Sequence, residues 1–250
     1  KAPVNWCPKC KSVLANEQVV NKKCWRHEDT KVEIKDLEQW FFKITDYVEE
    51  LLKEIPNLDW PERIKLMQEN WIGKSEGTLV KFKIEDANEY LEVFTTRIDT
   101  LFSVTFLVMA PEHPKVIDLV QKTREKEVKL FIQKVMTEER FTQITKDKIK
   151  EGFFLGRYAI NPATNQRIPI YIANFVLMEY GTGIVMADAH DRRDVEFAKR
   201  YKIPLITVLK HKDGTGLAKN EIYEDYGILI NSAQFNDLTS EEAIPKIQEW

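Results

Sequence analysis

Three stretches of this chain carry side chains able to do chemistry. The first pairs Cys7-Pro8-Lys9-Cys10 with Cys24-Trp25-Arg26-His27 after thirteen intervening residues. Two residues between ligands let a tight turn aim both side chains at one ion, and two such turns complete a tetrahedron. Thiolate and imidazole donors suit zinc, and four protein ligands leave no open position, so the expected ion is structural. A redox C-x-x-C is the alternative; the second ligand pair and the lack of a nearby βαβ pattern argue against it. The second stretch is Thr95-Thr96-Arg97-Ile98-Asp99-Thr100, which places hydroxyls around a fixed cation and a carboxylate. Successive strand residues face opposite sides, so Thr95 and Thr96 share a cavity only if the strand ends there and the chain turns. Asp99 is a candidate cap for a short helix with Thr100 at its mouth. On spacing alone, ordinary strand threonines beside a surface Arg97–Asp99 pair are the commoner arrangement. The third stretch runs from Tyr180-Gly181-Thr182-Gly183 through Met186-Ala187-Asp188 to His190-Asp191-Arg192-Arg193-Asp194. Its glycines let backbone approach a ligand closely. Asp191 and Asp194 read as helix caps or dipole partners. His190 invites a general-base role, but a lone histidine beside alanines is more often a satisfied structural group.

The elements that must hold these residues follow from periodicity. Residues 1–35 form a metal-held ribbon. Residues 36–77 read as linking helices. Leu37, Trp40, Phe41, Ile44, Tyr47, Val48, Leu51 and Leu52 recur at helical spacing from an Asp36 cap to Pro56, and a second helix runs from Pro61 to Trp71. From Thr78 to about residue 212 short strands dominate: Leu79–Ile84, Tyr90–Thr96, the apolar run Thr105–Ala110, Arg167–Ile172, Ile184–Ala187 and Leu205–Leu209. Residues 115–150 read as charged helix, with ten Lys/Arg against seven Asp/Glu between Lys115 and Glu151, a solvated face more often than an RNA contact. Residues 213–250 supply a strand at Gly227–Ile230 and a helix capped near Thr239. The fold class is therefore α+β, with a central, barrel-like arrangement of strands surrounded by helices. Net charge is -3 over 250 residues, so any nucleic-acid contact must come from local patches. No run approaches membrane-span length, and three cysteines point to a reducing, cytoplasmic setting. The start, Lys1-Ala2-Pro3, has no apolar signal segment or initiator Met and reads as a piece of a longer chain.

The order of V-N-W-C-P-K-C, A-N-E-Q-V, C-W-R-H, L-E-Q-W-F, W-I-G-K-S-E-G, T-T-R-I-D-T-L-F, A-P-E-H-P, Y-G-T-G and H-D-R-R-D-V-E-F-A resembles the bacterial-type leucyl-tRNA synthetases nearly end to end. The part resembled is the zinc module and the connective-polypeptide insertion that edits, corresponding here to 78–212, with 213–250 returning toward the synthetase core. The aminoacylation signatures H-I-G-H and K-M-S-K-S are absent from this sequence. What the resemblance implies is post-transfer editing: hydrolysis of tRNA(Leu) wrongly carrying isoleucine-, valine-, norvaline- or methionine-type residues. An apolar pocket separates side chains differing by one methylene by only ~10–200-fold, so a second, smaller site must remove the misfits.

Roles carry over by motif. Thr95 and Thr96 match hydroxyls holding the ester and terminal ribose. Thr100 matches the threonine that excludes leucine, and Arg97 the arginine near the RNA 3′ end. Asp194 matches the carboxylate that anchors the substrate's α-ammonium, braced by Asp191 and Arg193. Tyr180 and Met186 match residues beside the terminal adenosine and the side-chain pocket. With no serine or cysteine nucleophile partnered by a base, the expected mechanism is attack by a held water, assisted by the ribose hydroxyl, with zinc purely structural. Expected partners are the tRNA(Leu) 3′ end and the rest of the synthetase. Three departures stand out: Ile98 where the family has proline, Ser103 for glycine, and a loop from Met186 to Asp191 one residue shorter than M-A-V-P-x-H-D, which introduces Asp188. Two other readings compete, a non-catalytic tRNA-docking zinc module and a zinc hydrolase; the latter needs an open metal position.

Overall fold

The structure is a computed structural model describing residues 2–38, 40, 42–139, 149–178 and 180–250. The chain divides into two compact units, Lys1–Lys74 and Ser75–Trp250.

In the first unit, β1 (Ala2–Cys7) is central in a three-stranded antiparallel sheet between β2 (Ser12–Leu14) and β6 (Glu33–Leu37). A second small sheet joins β3 (Val19–Val20), β4 (Lys23–Cys24) and β5 (His27–Lys31). Among the described residues the buried cluster under these two sheets is Cys7, Leu14, Cys24 and Val32, too few apolar groups to hold a fold without a further tie. The expected helix from Asp36 is corrected here. Asp36 and Leu37 pair with Pro3 and Ala2 in the β ladder. Helix begins only at Ile44, as a 3-10 turn leading into α1 (Val48–Glu54). Trp40, Ile44, Tyr47 and Leu51 are exposed, so their spacing does not mark a face buried within this unit; Phe41 lies outside the described residues. The second helix, α2 (Glu62–Ile72), follows Pro61 and ends on Gly73 in the left-handed conformation.

The second unit is built on a six-stranded sheet. Its strands are β7 (Thr78–Ile84), β8 (Tyr90–Thr95), β9 (Phe106–Met109), β10 (Gly152–Ile160), β11 (Arg167–Ala173) and β12 (Ile184–Ala187), in spatial order β12-β9-β11-β10-β7-β8. Pairings are antiparallel except β9 with β11. The edge strands β12 and β8 come near each other, but no ladder joins them among the described residues, so the barrel-like expectation is corrected to a curled, open sheet. The apolar run around β9 is explained by burial on both faces. Leu107 and Met109 enter the main core with Phe82, Leu91, Val93, Leu155 and Ile170. Phe106 and Val108 face a second cluster with Val176, Phe197 and Ala198.

The segment expected to be one charged helix over 115–150 is α3 (Val116–Leu119), an extended Val120 and α4 (Glu125–Glu139), with Val128 and Val135 buried; residues 140–148 lie outside the described residues. Helix α5 (Arg192–Tyr201) packs Phe197 against Phe106 with ring centroids 5.6 Å apart. The strand expected at Leu205–Leu209 is β13 (Leu209–Lys210), paired with β14 (Ile228–Leu229). Helix α6 (Ser240–Glu249), with a Thr239/Glu242 capping box, sends Ala243 and Ile247 into the main core. Residues 213–250 thus pack as part of this unit. Among the described residues no helix is long and apolar enough to cross a membrane.

Candidate functional site

Strand β8 ends at Thr95, whose Oγ1 accepts the Arg97 N–H at 2.9 Å. That side-chain turn breaks the strand alternation, and Thr95 and Thr96 both line one cavity of 480 Å³. The chain then forms the 3-10 helix Ile98–Ser103, every residue of it buried. Asp99 does not cap this helix. Its carboxylate is fully buried and takes Arg97 Nε and Nη2, both at 3.0 Å. Arg97 Nη1 and Nη2 also donate to the Glu224 and Asp225 carbonyls at 2.6 and 3.3 Å, and its guanidinium carbon lies 4.8 Å from the Tyr226 ring centroid. Burial alone would lower the Arg97 pKa; the Asp99 carboxylate overrides it and raises it. Arg97 is a latch between the threonine turn and the 223–226 segment, not the free surface partner that spacing allows.

The opposite wall begins at Tyr180, exposed on the rim. Gly181 and Gly183 hold φ of 57° and 71°, the left-handed region that side chains disfavour. Gly183 accepts Ala110 N–H at 2.8 Å, which fixes the start of β12 beside β9. Met186, Asp188, His190, Asp191, Arg193 and Asp194 follow along the cavity, with Phe94, Phe175, Val176, Leu177 and Val185 giving it apolar surface. The nine residues given catalytic or substrate-binding roles by the resemblance thus line one hollow: Thr95, Thr96, Arg97, Thr100, Tyr180, Met186, Asp191, Arg193 and Asp194.

The three carboxylates differ in what they have left to offer. Asp191 caps α5, accepting Arg193 N–H at 2.7 Å and Asp194 N–H at 3.3 Å, and it takes the Arg193 guanidinium through both oxygens at 3.1 and 2.7 Å. Burial pushes its pKa up, but Arg193 and the cap bonds bring it below the usual value. Asp188 accepts His190 N–H on Oδ1 at 2.7 Å and meets Thr100 Oγ1 at 2.6 Å through Oδ2. Burial pushes Asp188 up to about 6. Asp194 is 6% exposed and accepts one bond among the described residues, from Asp188 N–H to Oδ2 at 3.3 Å. Burial, then the charges of Asp191 and Asp188, raise its pKa well above the usual range. Its Oδ1 is the one carboxylate oxygen of the trio with no protein donor among the described residues.

His190 is a structural group. Its Nε2 accepts Val208 N–H at 3.0 Å, so Nδ1 carries the proton and donates to the Tyr223 carbonyl at 3.0 Å. Burial lowers its pKa, in keeping with a neutral ring. No serine or cysteine lines the cavity among the described residues.

Two contributors were not singled out from the sequence. Glu224 lines the rim and accepts Arg192 N–H at 3.1 Å. Asn161 is fully buried; its Nδ2 donates to the Leu101 and Val104 carbonyls at 3.0 Å each, and its Oδ1 accepts Ala163 N–H at 2.8 Å. It bolts the end of the threonine helix to a hairpin loop 60 residues away in sequence, and a loop asparagine carries no local signal of such a role.

In the first unit, Cys7, Cys10, Cys24 and His27 converge, with donor atoms all within 4.8 Å of one another. Cys10–Cys24, Cys24–His27 and Cys7–His27 separations are 3.7, 3.8 and 3.9 Å. A tetrahedron with metal–ligand distances of ~2.0–2.3 Å has edges of roughly 3.3–3.8 Å, and the Cys10–His27 separation of 3.2 Å lies at the short end of that range. The cluster could therefore hold a metal ion with four protein donors, and Cys10 N–H already donates to Cys7 Sγ at 3.3 Å.

Residues 69–250 match the family described as "Leucyl-tRNA synthetase, editing domain". The chain is 52% identical over 254 residues to a leucine–tRNA ligase of Thermotoga maritima, covering 100% of this chain and 31% of that protein. With the leucine–tRNA ligase of Fervidobacterium nodosum it is 51% identical over 249 residues, covering 99% of this chain and 30% of the relative. The chain thus spans about a third of the curated relatives it matches. Among solved structures, it superposes on a leucyl-tRNA synthetase of Agrobacterium radiobacter K84 in a ternary complex with tRNA and LeuAMS. The TM-score is 0.60 at 33% identity, over 87% of this chain and 26% of that one. With the family match spanning the whole unit that encloses the cavity, the chain belongs to the leucyl-tRNA synthetase editing-domain family.

Proposed function

We propose that the cavity hydrolyses the ester of mischarged tRNA(Leu), releasing isoleucine-, valine-, norvaline- or methionine-type residues and sparing leucine. The observation that carries this is one hollow lined by three threonines and by a carboxylate that has an oxygen with no protein donor among the described residues. An α-ammonium entering that hollow meets Asp194 Oδ1. The charge that burial and two neighbouring carboxylates make costly in the empty site becomes a charge-assisted bond once a cation arrives. Anchored by its amine, the substrate extends its side chain toward Thr100, Met186 and the apolar wall, and its ester toward Thr95 and Thr96. A water oriented by those hydroxyls attacks the carbonyl, and the same donors stabilise the developing oxyanion. The terminal ribose hydroxyl is within the substrate and assists without a protein base. Tyr180 on the rim offers an aromatic face to the terminal adenine. Arg97 supports the floor of the site through Asp99 and the 223–226 segment.

Zinc is the ion the thiolate-rich tetrahedron fits best, held by Cys7, Cys10, Cys24 and His27. It would supply the tie that the small core of the first unit lacks, with no coordination site for substrate. The remainder of the synthetase and the 3′ end of tRNA(Leu) are the partners, and the setting is the cytoplasm.

The test measures release of amino acid from isoleucyl- and leucyl-tRNA(Leu) by the chain. Isoleucine leaves faster than leucine, and Asp194→Ala slows that release by about 10–100-fold, the worth of one charged hydrogen bond. Equal release of both, or an unaffected variant, rejects the reading. Salt-sensitive tRNA binding without release would favour the docking alternative.

A further inference from the structure

Two of the expected departures, Ser103 and Asp188, meet in one place. Asp188 opens the shortened turn and accepts the His190 N–H, which fixes its carboxyl. Ser103 Oγ, at the end of the threonine helix, accepts the Ala189 N–H at 3.1 Å and donates to the Ile206 carbonyl. The turn at 188–190 is therefore stapled to the helix at Ser103 and again at Thr100. Thr100 is 1% exposed, and its hydroxyl has two acceptor-type neighbours, the Arg97 carbonyl at 3.0 Å and Asp188 Oδ2 at 2.6 Å. A hydroxyl has one proton to give. A carbonyl can only accept, so both bonds coexist when Thr100 donates to Arg97 and a protonated Asp188 donates to Thr100. Burial raises the Asp188 pKa to about 6, so that state belongs to lower pH; above it Thr100 Oγ1 donates to the ionised Asp188, and the same 2.6 Å contact holds the hydroxyl in place. In either state the hydroxyl is engaged by Asp188, which leaves the methyl as the group Thr100 can present to the cavity it lines.

We propose that Asp188 is the positioning residue for Thr100: it holds the hydroxyl in one rotamer and so keeps a methyl in the path of the γ-branched leucyl side chain. The proposal rests on the editing reading above. Asp188 itself is not a second ammonium anchor, since both of its oxygens are taken by protein partners.

The test compares single-turnover release of isoleucine and of leucine from tRNA(Leu) by the wild type, Asp188→Ser, Asp188→Asn and Thr100→Val. Serine still accepts from His190 N–H at the turn but is too short to reach Thr100. Asparagine keeps an acceptor for His190 and an N–H for Thr100. Valine carries a methyl on both branches, so rotation no longer changes its bulk. Asp188→Ser is expected to keep isoleucine release and to raise leucine release, lowering the ratio by roughly tenfold, the scale of one methyl in a pocket. Asp188→Asn restores the ratio. In the Thr100→Val background, Asp188→Ser changes the ratio little. An unchanged ratio in Asp188→Ser overturns the proposal. So does an equal loss of both activities, or the same fall in the valine background, since general loosening would produce either. Wild type that fails to discriminate removes the editing reading, and this proposal with it; wild type that discriminates while Asp188→Ser matches it removes the proposal alone.

Discussion

Replacing Asp188 by asparagine should stabilise the protein at neutral pH and leave it unchanged in acid. Asp188 is 7% exposed, and burial raises its carboxyl from 3.8 to about 6. In the unfolded chain the group ionises near 3.8; in the folded chain it keeps its proton until about 6. The folded state is therefore favoured by protonation. That contribution is fully present below the lower value and is lost as pH rises through the higher one. At ~1.36 kcal/mol for each tenfold change in the protonation equilibrium, the loss reaches about 3 kcal/mol above pH 6, taken as a ceiling. For a unit of this size that corresponds to roughly 6–12 °C in Tm. Asparagine has no proton to lose, and its amide can reproduce both bonds of the protonated acid. The Tm difference between Asp188→Asn and wild type, followed by circular dichroism, should be near zero at pH 4. It should widen between pH 4 and 6 and stay constant above. The other titrating groups are common to both proteins, so the difference isolates this one. A gap independent of pH, or a variant less stable than wild type at pH 7.5, would refute the reasoning.

Thr100→Ala removes both the hydroxyl and the methyl and should let correctly charged leucyl-tRNA(Leu) be hydrolysed, with a gain of about 10–100-fold in leucine release; leucyl-tRNA surviving in the variant would remove Thr100 from its role. Asn161→Ala strips the donors from two buried carbonyls at the end of the threonine helix and should destabilise the second unit by about 2–4 kcal/mol, read from urea unfolding. If the proposed zinc is bound, chelation or Cys24→Ser should abolish the tetrahedral site, seen as loss of stoichiometric metal. It should also unfold the small sheets of the first unit while isoleucine release by the cavity persists.

Legibility in the sequence depended on distance along the chain. The four candidate metal ligands sit in two local turns, and their spacing alone implied the convergence seen. The alternation of β7 and β8 and the doubly apolar β9 were equally local. The threonine turn was legible as a condition: both hydroxyls share a cavity if the strand stops, and Thr95 stops it by bonding Arg97 N–H. The misreadings have partners far away. Leu37 fits a helical stripe, yet it is claimed by the ladder with Ala2. Asp99 has the type and position of a cap, but Arg97, held in turn by carbonyls 127 and 128 residues away, takes both of its oxygens. Glu224, Asn161 and the bond between Thr100 and Asp188 depend on tertiary placement that no local pattern encodes. The barrel-like expectation stopped short of closure for a similar reason, since whether two edges pair is decided by the twist and register of the whole sheet.

The parallel pairing of β9 with β11 has a consequence for how the protein is made. Antiparallel neighbours can zip as soon as a hairpin leaves the ribosome, but Leu107 must wait for Ile170. Thr100 waits longer still, for a carboxyl 88 residues downstream. At ~5–20 residues per second, the threonines spend roughly 4–18 s outside the exit tunnel before the opposite wall exists. A nascent or truncated chain ending before residue 194 therefore has no half-strength version of this pocket, only two unpaired strips of it.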